Sequence, residues 1–152
     1  MMLPILFMAV CTVLVLAAAS VRRIPEGSVY SLRRIGGHTR MLGAGLHLVM
    51  PLVESVAHKI NLAGNTVKFD SSLSSGQPCR GTLYFQVLDP ERADAVIDGV
   101  NGWLRTRTTD LLRHAAFPDH ADERRQWLKQ ALNAELRDRG LLIARVDLSV
   151  TD

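Results

Sequence analysis

The first 21 residues, Met1 to Val21, constrain this chain more than any other feature. Eighteen of them are hydrophobic, the exceptions being Pro4, Thr12 and Ser20, and no charged side chain precedes Arg22. As a helix rising 1.5 Å per residue, such a run is about 31 Å long, close to the ~30 Å hydrocarbon thickness of a bilayer. The expectation is therefore a transmembrane anchor over residues 1–21. Its lipid-facing side chains would be Leu3, Ile5, Leu6, Phe7, Val10, Val13, Leu14, Val15 and Leu16. Pro4 falls in the first turn, where a missing N–H costs little, and Thr12 can return its hydroxyl to a carbonyl of the preceding turn. A cleaved secretory signal is the competing reading, since Ala17, Ala18 and Ala19 before Ser20 offer the small residues a peptidase needs. The lack of any Lys or Arg before the run speaks against it. Arg22 and Arg23 follow at once, so the positive-inside rule would put the C-terminal part in the cytoplasm.

The remainder is enough for one modest domain, because the whole chain has 152 residues. A multi-domain enzyme is excluded by this length and a polytopic transporter by the single apolar run. Hydrophobic residues make up 47% of the chain, which excludes a disordered protein. Cys11 lies inside the apolar run and Cys79 in a polar stretch, so neither a disulfide framework nor a cysteine zinc site is available. The formal charge of +3 is localised rather than spread. Residues 22–40 carry five Arg against Glu26 alone, a local +4, whereas residues 81–100 carry one Arg against four acids, a local −3. Without a basic stripe elsewhere, nucleic acid is not an expected partner.

After the apolar run the periodicity is that of strands. Val29 to Ile35 is β-favouring and closed by Gly36 and Gly37; Leu46 to Met50 follows Gly45 and stops at Pro51; Val56, His58, Ile60 and Leu62 alternate with polar or small residues. Asn61 to Asn65 reads as a turn, Thr66 to Phe69 as a strand, and Asp70 to Gln77 as a loop. Thr82 to Leu88 is the clearest strand, with Leu83, Phe85 and Val87 on one face. At Asp89-Pro90 the period becomes helical, Asp89 as cap and Pro90 in the first turn, and that helix is expected to end near Gly99. Two further helices are expected, from about Gly102 to Ala116 and from Asp119 to Arg139, the second stopped by Gly140. A last strand, Leu142 to Thr151, would turn Ala144, Val146, Leu148 and Val150 to one side. Strands, then helices, then a strand make an α+β fold over residues 22–152.

The stretches Val21-Arg22-Arg23-Ile24-Pro25-Glu26-Gly27, Leu32-Arg33-Arg34-Ile35-Gly36, Gly45-Leu46-His47-Leu48-Val49-Met50-Pro51-Leu52-Val53 and His58-Lys59-Ile60-Asn61-Leu62 resemble, in this order, the SPFH or band 7 domain. That is the domain of stomatins, prohibitins and flotillins, and the pattern is most similar to the bacterial stomatin-like proteins (paraslipins). Tyr84 to Ala93 is similar to the family's strand-to-helix junction and Arg139 to Val146 to its closing strand. The resemblance implies a membrane scaffold without catalytic activity or cofactor, self-associating as a homo-oligomer and organising lipids or membrane proteins at a bacterial inner membrane. It also makes a membrane protease a candidate partner. Arg22, Arg23 and Arg40 could meet anionic headgroups at about 1 kcal/mol each, with Leu48, Val49 and Met50 as an apolar flank. The plainer reading of Leu46 to Val53 is a core strand, and the sharper one a segment lying against the bilayer surface near the anchor. Family members usually continue into a long coiled coil, which is not present by Asp152.

The residues give no independent sign of catalysis. His38, His47, His58, His114 and His120 lack helical ligand spacing, and phosphate-loop, nucleophile-elbow and zincin motifs are absent. No metal or catalytic residue is expected. Trp103 and Trp127 occupy core-like helical positions, with anchoring at a partner surface as the alternative.

Overall fold

The computed structural model describes residues 2–50, 53–114, 118 and 120–150. The fold is α+β, and its contacts divide the chain into two compact units, Met1–Lys59 and Ile60–Asp152. The expected feature that does not survive is the transmembrane anchor. Helix α1 runs Met2–Ser20, 19 residues, and among the described residues no helix is long and apolar enough to cross a membrane. The physical reason is where the helix stops. Val21 is taken into strand β1 (Val21–Ile24). What is left of the helix rises about 28 Å, against a hydrocarbon thickness of ~30 Å. A single-pass protein with its domain on the cytoplasmic side of an inner membrane is therefore not supported.

In the first unit, β1 pairs antiparallel with β4 (Gly45–Leu48), and β2 (Ser28–Arg34) pairs with β3 (Thr39–Leu42). Strand β5 (Glu54–Asn61) lies on the other side of β2. The β2–β3 turn follows from Gly36 and Gly37, at φ 111° and 88°, which lets Gly37 N donate to the Arg34 carbonyl at 3.0 Å. Ile24, Leu32, Leu42 and Val49 form the core of this unit, with Tyr30 half-buried against them.

In the second unit, β6 (Asn65–Ser72), β7 (Pro78–Val87) and β8 (Leu141–Val150) form an antiparallel sheet in the order β6-β7-β8. The Asn61–Asn65 turn is built by amide side chains. Asn61 Oδ1 accepts from Ala63 N at 3.0 Å, and Asn65 Nδ2 donates to the carbonyls of Asn61 and Ala63 at 3.0 and 3.1 Å. The expected loop from Asp70 shrinks to residues 73–77, because Asp70, Ser71 and Ser72 pair with Arg80, Cys79 and Pro78.

Asp89 caps α2 (Pro90–Asp94), accepting from Glu91 N and Arg92 N at 3.1 and 3.2 Å. This helix is shorter than the expected reach to Gly99, since turns occupy residues 95–99. Val100 instead opens α3 (Val100–His114), which buries Leu104 and Leu112. Helix α4 (Ala121–Leu136) buries Leu128, Leu132 and Leu136, then tightens into a 3₁₀ turn ended by Gly140 at φ 71°. Arg107 on α3 donates to both carboxylate oxygens of Glu135 on α4, at 2.6 to 3.0 Å, joining the helices. The leucines of both helices pack on Leu83, Phe85, Val87 and Ile143. Pro51, Ala115, Ala116, Asp119 and Thr151 lie outside the described residues, as does the side chain of Leu3.

One expected alternation fails for a specific reason. Tyr84 pairs with Arg145 but Phe85 pairs with Ile143, so Ala144 is the extra residue of a β-bulge. Period-2 parity reverses there. Leu141 and Ile143 face the core before the bulge and Val146 after it, whereas Ala144 is exposed.

Candidate interaction surface

The described side chains of α1 are almost all exposed, Phe7 at 72%, and no charge interrupts them. Its two hydroxyls are turned inward along the helix, Thr12 Oγ1 donating to Met8 O at 2.8 Å and Ser20 Oγ to Leu16 O at 2.7 Å. The helix therefore presents hydrocarbon on every side, including Ile5, Leu6, Val10, Val13, Leu14, Val15 and Leu16. Such a surface is stable in water only when something apolar covers it.

The ribbon of β1 and β4 continues this surface. Val21 stands opposite Leu48 and Arg23 opposite Leu46, and Val49 N donates to Ser20 O at 2.8 Å, carrying the ladder back to the end of the helix. Residues directly opposite share a face. One face therefore holds Val21, Arg23, Leu46 and Leu48, with the two leucines 72% and 74% exposed. Met50, next in the alternation, is also exposed. Gly45 starts β4 at φ 132°, a value open to glycine, and His47 Nε2 is 2.9 Å from the Gly43 carbonyl.

The residues expected at a membrane flank are thus sorted by the pleat. Leu48 and Met50 point outward, but Val49, between them, is only 7% exposed and belongs to the core with Ile24. Arg23 shares the apolar face, while Arg22 stands opposite His47 on the other side. Arg40 is in a different sheet, opposite Leu32 on β2. Val21, read as the end of the apolar run, joins the face through its pairing with Leu48, and Leu46, at the start of the Leu46 to Val53 segment, joins it by alternation with Leu48 and Met50.

Among the described residues no group of three or more His, Cys, Asp or Glu could hold a metal ion. His114 Nδ1 lies 3.0 Å from the Asp110 carbonyl. Trp103 and Trp127 are half-buried against the core, and the Arg139 guanidinium sits 4.8 Å over the Trp103 ring. Trp103 and Arg139 border a cavity of about 260 Å³ with Val96, Gly99 and Leu136. Burial pushes the Cys79 thiol up from its ordinary range, outweighing the nearby Arg124. A raised thiol holds its proton in the folded protein after the unfolded one has lost it, so stability present below about pH 8.5 is lost as pH rises through that range. Chemical denaturation followed from pH 7 to 10 should show this decline, flattened in Cys79→Ala. Iodoacetamide should also modify Cys79 only at the rate of unfolding. No family model matches the chain.

Proposed function

We propose that this chain is a non-enzymatic scaffold of the SPFH or band 7 kind, which self-associates and organises lipid or neighbouring membrane proteins by docking on a lipid surface. The observation that carries the reading is the continuous apolar surface made by α1 and the outward face of the β1–β4 ribbon, where Leu46, Leu48 and Met50 stand exposed beside Arg23. Burying a leucine side chain contributes about 1.5–3 kcal/mol, and a cation against an anionic headgroup about 1 kcal/mol more. A few such residues acting together suffice for surface attachment without a span. The order of the SPFH-like stretches along the chain supports the family assignment.

The test is flotation with vesicles of phosphatidylcholine containing phosphatidylserine, with light scattering in mild detergent alongside. The protein should float with the vesicles and scatter as more than a monomer. Leu46→Glu with Leu48→Glu should lower vesicle binding by about tenfold or more, given the burial energies above. A protein that stays with the soluble fraction and scatters as a monomer would sink the proposal. Stoichiometric recovery of a protease from solubilised membranes would favour a regulatory role instead.

A further inference from the structure

Strand β8 is an edge of its sheet, and edges of this kind expose backbone donors and acceptors that invite another strand. Here the edge is engaged by α4 in a particular way. Asn133 Oδ1 accepts from Ile143 N at 2.7 Å, and Asn133 Nδ2 donates to Ile143 O at 3.2 Å. Those are the two bonds that a residue of a neighbouring antiparallel strand would make. Lys129 Nζ adds a third, donating to Ala144 O at 2.7 Å, on the residue that forms the bulge. A side-chain amide thus stands where the peptide group of a fourth strand would stand, while β8 itself runs on to Val150.

The helical stripe that reaches this edge has a consistent chemistry. Gln126, Lys129, Gln130, Asn133, Ala134 and Arg137 recur at three- and four-residue spacing and border an open groove of about 620 Å³. The stripe holds two cations, three amides and no acid. Amides suit a peptide backbone, and the cations suit carboxylates. At the opposite edge, Arg105 Nε donates to Lys68 O on β6 at 3.1 Å.

We propose that the outer edge of β8, beside the amide and cation stripe of α4, is a docking site for an extended acidic peptide segment that adds as a fourth strand. The segment pairs with the strand from Ile143, where it takes over the bonds now made by Asn133, across the bulge toward Val150, while its carboxylates meet Lys129 and Arg137. This site lies in the second unit and does not depend on the lipid-docking proposal, which concerns the first.

The test uses the full chain in detergent micelles and a short fluorescein-labelled peptide alternating glutamate with valine and threonine. Anisotropy should rise saturably, and hydrogen exchange at the amides of residues 146–150 should slow when the peptide is added. Lys129→Glu with Arg137→Glu should weaken binding about tenfold or more. Lys129→Gln, which keeps a donor for Ala144 O, should weaken it less and serves if the charge reversal unfolds the protein. A peptide with lysine in place of glutamate should not bind. Equal binding of the lysine peptide, unchanged affinity in both variants, or no saturable signal would overturn the proposal. Self-association that disappears in the charge-reversed variant without peptide would assign the edge to a second copy and overturn it as well.

Discussion

Leu132→Ala is expected to destabilise the protein by about 2–5 kcal/mol, the range for removing a fully buried leucine and leaving a cavity. Leu132 is 0% exposed at the centre of α4 and belongs to the cluster that includes Leu83, Phe85, Leu104 and Ile143. A domain of ordinary stability has about 5–15 kcal/mol in all, so this one change removes a large share. Urea denaturation should show a lower midpoint with an unchanged slope. On the same helix, Gln130 is exposed, and Gln130→Ala should stay within about 0.5 kcal/mol. Equal effects at the two positions would mean that α4 does not pack on the sheet through its leucine stripe.

Gly140→Ala is expected to cost about 2–4 kcal/mol, from backbone strain and a backbone collision together. Gly140 stands at φ 71°, where a side chain is disfavoured, and a Cβ there would lie 2.5 Å from the Asp89 carbonyl oxygen. That neighbour cannot easily withdraw. Leu88 N and Asp89 N both donate to the Gly140 carbonyl, at 2.9 and 3.1 Å, so the start of β8 and the cap of α2 are fastened together at this residue. Gly102 makes the useful contrast, because it lies within α3 at ordinary φ with nothing within 4 Å of a new Cβ. Gly102→Ala should therefore stabilise by about 0.4–1 kcal/mol. Thermal melts of the two variants should move in opposite directions; movement in the same direction would refute the assigned backbone geometry.

These positions also mark how far the chain can be read without its fold. Leu128, Leu132 and Leu136 recur at four-residue spacing, and burial follows that stripe because a helix keeps its own period whatever it packs on. Asp89-Pro90 announced a cap and a first turn, and the Asp89 carboxylate takes up that role through bonds to Glu91 and Arg92. Gly140 was legible as a helix stop, but its contact with Asp89 was not, since the two are distant in sequence and meet only when β7 and β8 pair. The bulge at Ala144 was equally hidden. Nothing local distinguishes Ala144 from its neighbours, and the shift exists only in the register against Tyr84 and Phe85. The candidate site divides in the same way. The exposure of Leu48 and Met50 and the inward turn of Val49 follow from strand alternation, yet which side faced the core depended on Ile24, Leu32 and Leu42 lying behind it.

By itself, the sequence determined the apolar N-terminal run, the switch from strand to helix period at Asp89-Pro90, and the stripes that become the core of the second unit, because each depends on near neighbours along the chain. Only the tertiary structure decided that the first helix ends at Ser20, that Val21 enters a ribbon opposite Leu48, and that Asn133 engages the edge of β8. Those outcomes depend on pairing between distant segments, where a one-residue difference in register changes what a side chain faces and whether a helix is long enough to span.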